Sequence, residues 1–444
     1  RNCFIMPILR YTASLDNTIT NAFEENLSTR GTGSNMGASD ILEVFSIYQQ
    51  ATSASVELSR ILIQFPTASI SSDRTAGTLP ASGSVTWKLK LYNAKHTETV
   101  PKSYRLQVSA VSASWEEGTG LDMEAYSDLT KDNEGSNWLN SRERTAATAT
   151  IVASTPGSLS NASTFTLTNA AGTTTTYRIN GGSSGTDTDD YQTQPGGTAG
   201  STIEVYFRLA STVAHVAEAI TKAINATTNA DMTATNDGTN ITITQSTKGR
   251  TGNKTNTNNS TGLSSVGNFT GAVGQWTTIG GDYHSDPAPI ANTETDFDTG
   301  LEDLEVDVSD IVEKWLLSSN PVANYGFGIR LTDDYEGYFS SSTGANTATE
   351  IHNLSGAKKS YYTKKFFGRG TEFFFKRPVL EAQFNDTKKD HRGNFTLSSS
   401  ALPAADNLNR LYCYNYVRGR LVDIAGDNSI VPKVRLYYSS GSVP

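Results

Sequence analysis

The sequence predicts a mainly β protein: a β-sandwich interrupted by a small α+β domain and followed by a second, partial, immunoglobulin-like sandwich. Three observations carry this. Short runs alternate apolar and polar residues with the two-residue period of a half-buried strand. Stretches rich in Ser, Thr, Gly and Pro separate them. One threonine-rich block with its own helical segment breaks the pattern in the middle of the chain.

In chain order, strands are expected at "ILEVFSIY" (41–48), "SRILIQF" (59–65), "VTWKLKLYNA" (85–94) and "SYRLQVSAV" (103–111). In the third, Val85, Trp87, Leu89 and Leu91 share one face, and Thr86, Lys88, Lys90 and Tyr92 the other. The composition shifts near Ala146. In "STVAHVAEAITKAINAT", Val213, Val216, Ala217, Ile220 and Ile224 recur at helical spacing, and "MTATNDGTNITITQ" reads as a hairpin about Asn236, Asp237 and Gly238. The block is a ββαββ unit, the kind of insertion a surface loop accepts. Alternation resumes after Trp276: "LEVDV" is a strand and Ser309 or Asp310 could cap the short helix that presents Ile311, Val312, Trp315 and Leu316. "NYGFGIRLT" (324–332) follows, and "TEFFFKRPVLEAQFND" (371–386) closes the sandwich, with Pro378 suited to an edge or a bulge. The expected organisation is an N-terminal extension (1–9), a discontinuous sandwich (10–146 and 276–386), an inserted α+β domain (147–275) and a last sandwich (387–444) whose few strands suggest truncation.

Bulk properties narrow the function. A chain of 444 residues implies about two to four domains. A net charge of -9 opposes a role in neutralising nucleic-acid phosphates. No apolar run approaches the ~18 residues that span a bilayer, so neither a nucleic-acid nor a membrane partner is expected. Met6 reads as the natural start, with residues 1–5 as carry-over, and the opening lacks the long apolar core of a secretory leader, which was either removed or never there. Cys3 and Cys413 are too far apart in sequence to imply a disulfide framework, and the five histidines show no metal-ligand spacing.

Several motifs compete for a functional reading. "SWEEGTGLDMEAYSDLTKDNEGSNWLN" (114–140) places Glu116, Glu117, Asp122, Glu124 and Asp128 between Trp115 and Trp138. A glycosidase needs two carboxyls facing across a scissile bond, and sequence spacing cannot establish that convergence. The alternative is a buttress, with Trp115 in a core, Glu116 toward solvent or receiving turn amides, and Gly118 permitting the reversal. Acidic loops at 120–135 and 291–305 have oxygens enough for calcium but not the register of an EF-hand, so no cofactor or metal is predicted. "GTGSNMGAS" (31–39) lacks the lysine of a phosphate loop and reads as a flexible connector. "SGAKKSYYTKKFFGRGTEFFFKRP" (355–378) is the one dense basic and aromatic run. Lys358, Lys359, Tyr361, Tyr362, Lys364, Lys365, Phe366 and Arg369 form the candidate interaction surface, for an acidic neighbour or a polyanion. The structural alternative is a strand pair with buried aromatics and lysines toward water or guarding an edge.

In order along the chain, "SRILIQFP", "VTWKLKLYNA", "SWEEGTG", "LEVDVSDIVEKWL" and "NYGFGIRL" resemble the DNRLRE-type domain, a jelly-roll module of secreted and surface proteins related to carbohydrate-binding modules. The resemblance covers about 10–146 and 276–386 and implies a jelly-roll sandwich that is not an enzyme; it favours the buttress. The inserted block resembles a small repeat of phage structural proteins. With the opening "MPILRYTASLDNTITNAFEENLSTRG", the whole resembles virion structural proteins of tailed phages of marine cyanobacteria. That implies a fibre, neck, tail or capsid-surface component, assembled in the host cytoplasm, with other virion proteins and copies of itself as partners and host polysaccharide as a further contact. The alternative is an extracellular or cell-surface carbohydrate-binding protein.

Overall fold

Residues that alternate in the sequence line opposite faces of extended strands, and burial of one face pulls those strands into layers. The computed structural model describes residues 7–95, 100–125, 135–181, 193–207, 212–284, 293–319, 321–359 and 361–385, with Tyr191 and scattered residues between 401 and 422. The chain divides into two units, Arg1–Phe384 and Asn385–Pro444.

The first unit begins with β1 (Ile8–Thr12), β2 (Leu15–Thr20), β3 (Ile41–Tyr48), β4 (Val56–Gln64), helix α1 (Thr67–Thr75), β5 (Val85–Leu91) and β6 (Tyr104–Ala110). Its middle holds β7 (Ala146–Val152), β8 (Thr164–Thr168), β9 (Thr174–Gly181), β10 (Gly197–Thr198), β11 (Thr202–Phe207), α2 (Val213–Asn225), β12 (Thr227–Thr228), β13 (Met232–Asn236), β14 (Asn240–Lys248), β15 (Thr257–Asn259) and β16 (Ser265–Val266). It ends with β17 (Thr293–Phe297), β18 (Leu304–Asp307), α3 (Ser309–Trp315), β19 (Phe327–Leu331), β20 (Tyr361–Phe367) and β21 (Val379–Phe384). Of the second unit, the described strands are the antiparallel pair β22 (Asn415–Val417) and β23 (Arg420–Val422). The rest of the expected C-terminal sandwich lies largely outside the described residues.

The fold is mainly β, with several sheets in a sandwich-like arrangement. A curled seven-stranded sheet runs β17-β6-β19-β4-β3-β20, with β2 also on β4, and a four-stranded sheet runs β1-β21-β5-β18. Ile61, Val108 and Ile329 of the first sheet meet Trp87, Leu89 and Leu380 of the second in one core. Trp87 and Leu89 are the alternating face read from the sequence, and Thr86 on the other face is exposed.

The middle segment has a core of its own, drawn entirely from residues between Ala147 and Ala272. Two four-stranded sheets, β11-β9-β8-β15 and β13-β14-β7-β16, contribute to it with α2. Val216, Ala217, Ile220 and Ile224 are buried on the helix as their spacing predicts. Thr212 caps it by accepting the His215 amide, and the His215 ring returns the favour to the Thr212 amide while stacking on Tyr191. The parallel pairing of β9 with β11 is not visible in the sequence. Entry and exit lie side by side: the Thr145 amide donates to the Val273 carbonyl, and the Val273 amide donates to Thr145 Oγ1.

Three local expectations change. No strand is expected before Ile41, yet Ile8–Thr12 and Leu15–Thr20 are strands. Neither Ser309 nor Asp310 caps α3: the Asp307 carboxylate accepts the Ser309 amide, and Ser309 Oγ instead accepts the Trp87 amide. Residues 371–378 are not strand. Phe374–Lys376 form a 3-10 turn, and Pro378 precedes β21, which lies between β1 and β5 instead of at an edge.

Candidate functional site

On β4, Ile61 and Ile63 point into the inter-sheet core while Leu58 and Leu62 point out, where Trp115, Trp138 and Trp276 cover them. This second core is made by loops. Each indole needs a partner for its N–H once buried, and each finds a carbonyl: Trp115 donates to Tyr325 at 2.7 Å, Trp138 to Thr349 at 2.9 Å and Trp276 to Asn137 at 2.8 Å. Trp115 therefore fills a core, as the buttress reading expects, but the one outside the sheet. Trp138 is fully enclosed and Trp115 nearly so, which leaves neither ring face open as a sugar platform.

Polar side chains pin these loops. Asn35 Nδ2 donates to the carbonyls of Glu117 (2.7 Å) and Ser136 (2.9 Å), while its Oδ1 accepts the amides of Gly37 (3.1 Å) and Gly120 (2.8 Å). Asn17 Nδ2 reaches Ser136 as well, and its Oδ1 takes the Met36 amide. Both asparagines are fully buried. The segment 31–39, expected to be a flexible connector, is therefore a buried strut; its short polar residues satisfy backbone groups that would otherwise be orphaned. Gly118 holds φ +77°, and a Cβ there would fall 2.4 Å from the Asn35 amide oxygen.

The acidic residues divide accordingly. Glu116 is exposed. Glu117 accepts the Asp16 amide at 2.7 Å and makes a two-pronged pair with Arg369, Nε to Oε1 at 3.1 Å and Nη2 to Oε2 at 2.5 Å. Asp122 is buried and accepts the Asn35 amide at 2.7 Å. The side chains of Glu124 and Asp128 lie outside the described residues. Asp16 accepts the Arg369 amide, and its carboxyl is pushed up to about 7, chiefly by burial and further by Glu117; the Arg369 amide and guanidinium oppose the rise. Three described carboxylates of this neighbourhood thus bind loops to one another and to β2.

Beside this core a polar cavity of about 290 Å³ is lined by Arg60, Tyr283, Arg330, Asp333, Glu336 and His352, among others. Arg60, the arginine of "SRILIQFP", grips Glu336 through Nε at 3.0 Å and Nη2 at 2.8 Å, and its Nη1 donates to the Gly280 carbonyl. Burial alone would lower the Arg60 guanidinium, but Glu336 and Tyr283 outweigh it and hold it above its ordinary value. Arg330 pairs with Asp333 at 2.6 Å. Sequence reasoning found Arg60 only as part of a motif; its partners lie more than two hundred residues away with no local signal.

The basic and aromatic run is β20 and its flanks, and the strand period splits it. Tyr362, Lys364 and Phe366 point inward, and Lys365 outward to Glu43 at 3.5 Å. Burial removes Tyr362, Lys364 and Phe366 from any contact surface. Lys364 also departs from the expectation that the lysines face water: it is fully enclosed, donates to Asn93 Oδ1 and to the carbonyls of Gly300 and Glu302, and is lowered by burial to about 8 against the pull of Glu302 and Asp303. Lys358 and Lys359 are exposed, with Lys358 Nζ 4.0 Å from the Tyr338 ring centre, whereas Arg369 is committed to Glu117. The Tyr361 side chain lies outside the described residues. Sequence reasoning missed the exposed turn just beyond, where Phe373, Phe374 and Phe375 are 43%, 72% and 62% exposed, more than a strand's alternation allows.

Among the described residues no group of three or more His, Cys, Asp or Glu side chains is placed to hold a metal ion, and no helix is long and apolar enough to cross a membrane. Comparison with protein-family models, curated proteins and solved structures finds no match.

Proposed function

We propose that the chain is a non-catalytic structural component of a tailed-phage virion, a fibre, neck, tail or capsid-surface protein that works by packing against copies of itself and other virion proteins. In this reading the two-sheet body is a jelly roll of the DNRLRE type, the 147–275 segment is an inserted domain, and the chain ends in a further, immunoglobulin-like sandwich. Assembly in the host cytoplasm follows, with host polysaccharide as a surface contact during attachment. The observation that carries the proposal is the turn Phe373 to Phe375 beside the edge strand β20. Three consecutive exposed phenylalanines, with Lys376 over the Phe367 ring at 4.6 Å, make an apolar patch with a basic rim, the composition of a subunit contact. Of the acids that would serve a glycosidase, Glu117 and Asp122 are spent on holding loops, which supports packing over catalysis.

Mass spectrometry of purified particles tests the assignment, since a virion component must be recovered in stoichiometric amounts. In solution, the wild-type chain is expected to self-associate and Phe374→Ser/Phe375→Ser to elute as a folded monomer. Excising 147–272 and joining Ala146 to Val273 through a short glycine linker should leave one cooperative unfolding transition; its loss would refute the insertion.

A second reading, a secreted or cell-surface carbohydrate-binding protein, rests on the Arg60 cavity. Its size and its arginine, carboxylate, histidine and amide groups suit a sugar's hydroxyls. Calorimetric titration with neutral and acidic oligosaccharides, against an Arg330→Ala control, separates the two readings.

A further inference from the structure

Lys364 lies on β20, at the edge of the seven-stranded sheet, and its side chain is fully enclosed. Its Nζ is 2.6 Å from Asn93 Oδ1, 2.6 Å from the Glu302 carbonyl and 3.1 Å from the Gly300 carbonyl. Asn93 follows β5, a central strand of the opposite sheet, and bridges to Phe366 of β20. The rings of Phe297 and Phe366 stand 5.1 and 5.0 Å from Nζ. Glu302 completes the cluster. Its Oε1 accepts both the amide and the hydroxyl of Thr299 at 2.7 Å, and its Oε2 is buried with no hydrogen-bond partner.

Three met donors would account for a structural lysine. They do not account for an amide carbon placed against the amine, or for a buried carboxylate oxygen left without a partner in the same cluster, where its charge is felt by the amine. We propose that Lys364 Nζ and Asn93 Cγ form an intramolecular isopeptide bond that joins the two sheets covalently. Cγ lies one carbonyl bond, about 1.23 Å, beyond Oδ1 and hence within about 3.8 Å of Nζ, close to the 3–3.5 Å of a near-attack arrangement. An amine lowered to about 8 is neutral, and so nucleophilic, in roughly one molecule in ten at pH 7. Burial alone would raise the Glu302 carboxyl, but the Thr299 donors and nearby amides outweigh it and hold it below its ordinary value, as a carboxylate.

The reaction balances without an oxidant or cofactor. The Lys364 ammonium loses a proton to Glu302, whose carboxylate acts on the amine through its charge and must swing in from beyond ion-pair distance to take it, and the free amine attacks Cγ to form the Nζ–Cγ bond. The tetrahedral oxyanion collapses, the Cγ–Nδ2 bond breaks, and the two protons lost by Nζ end on Nδ2, which leaves as ammonium. Glu302 carries them, and the aromatic walls keep water from competing for Cγ. The bond closes a loop across a sequence separation of 271 residues, and it stands independently of the virion reading.

Intact-mass measurement of the full chain tests this. The expected mass is lower than the sequence mass by one ammonia, and a tryptic digest should contain one branched peptide joining Asn93 to Lys364. Asn93→Ala and Lys364→Arg should restore the unmodified mass. Asn93→Asp should give the same branched peptide by loss of water. Glu302→Gln should keep the wild-type circular dichroism but lack the cross-link, with Glu302→Asp recovering part of it, a split that a packing role for Glu302 would not produce. A wild-type chain at its full sequence mass, or a mass deficit that maps to any other pair of residues, overturns the proposal. The wild-type measurements decide the matter even where a variant fails to fold.

Discussion

The two faces of the seven-stranded sheet are buried by different means. The inner face meets a second sheet, and side chains such as Ile61, Val108 and Ile329 need only be apolar and of suitable volume. The outer face is covered by loops, whose backbone amides and carbonyls must be satisfied as well as buried. Asn17, Asn35, Asp16, Glu117 and the Arg60–Glu336 pair supply the partners, and tryptophans with one polar atom each fill the gaps. A sheet face closed by a sheet is specified by period; one closed by loops is specified by particular hydrogen bonds.

That contrast can be broken at adjacent positions of one strand. Arg60→Ala strips the buried Glu336 of its two-pronged partner and leaves it only Arg330 at 3.7 Å, and should cost about 3–5 kcal/mol in chemical denaturation. Ile61→Ala, on the inner face, should cost about 2–5 kcal/mol through its cavity. The two are separated by rescue. Arg60→Met with Glu336→Leu should recover most of the loss, because a buried ion pair is worth little more than its apolar isostere, whereas no second substitution at a distance repairs the cavity. Failure of that rescue would show that the pair holds the cavity in shape through its direction as well as its charge.

Asn35→Ala should cost about 2–3 kcal/mol, since it strands buried amides and carbonyls of the 115–140 loop; a change below about 0.5 kcal/mol would show that this loop is not fastened there.

A subtler effect concerns pH. The Asp16 carboxyl is raised in the folded state to about 7 from an ordinary value near 4. The folded chain thus holds a proton that the unfolded chain releases, so this group's contribution is complete below about pH 4 and is lost as pH rises toward 7. Asp16→Asn should flatten the stability profile between pH 4 and 7 and raise the melting temperature at pH 8 by a few degrees. An unchanged slope would mean that Arg369 keeps Asp16 ionised throughout.

The smallest effect belongs to Glu116→Ala. This exposed member of the acidic stretch should change stability by less than about 0.5 kcal/mol, while Glu117→Ala, its buried-side neighbour, releases Arg369 and costs more.

How much of this was legible follows the same division. The strand from Val85, the α2 helix and the hairpin at Asn236–Gly238 could be read because their signals are local: a two-residue period, a helical stripe, and a turn whose Asp237 carboxylate receives the amides of Thr239 and Asn240. Strand β2 was not read, because "LDNTIT" buries Asp16, Asn17 and Thr18 between β4 and the loops and carries no apolar alternation. Lysine chemistry argued for an outward Lys364. Only the three acceptors gathered from Asn93, Gly300 and Glu302 make its burial tolerable.

Sequence by itself determined which residues share a strand face and which segment folds around its own helix, because alternation and helical spacing are properties of neighbours in the chain. Tertiary structure alone decided that Glu117 braces Arg369, that Arg60 finds Glu336, and that Lys364 comes to lie against Asn93. Each joins residues hundreds of positions apart, and a hydrogen bond depends on distance and direction in space, which no spacing along the chain encodes.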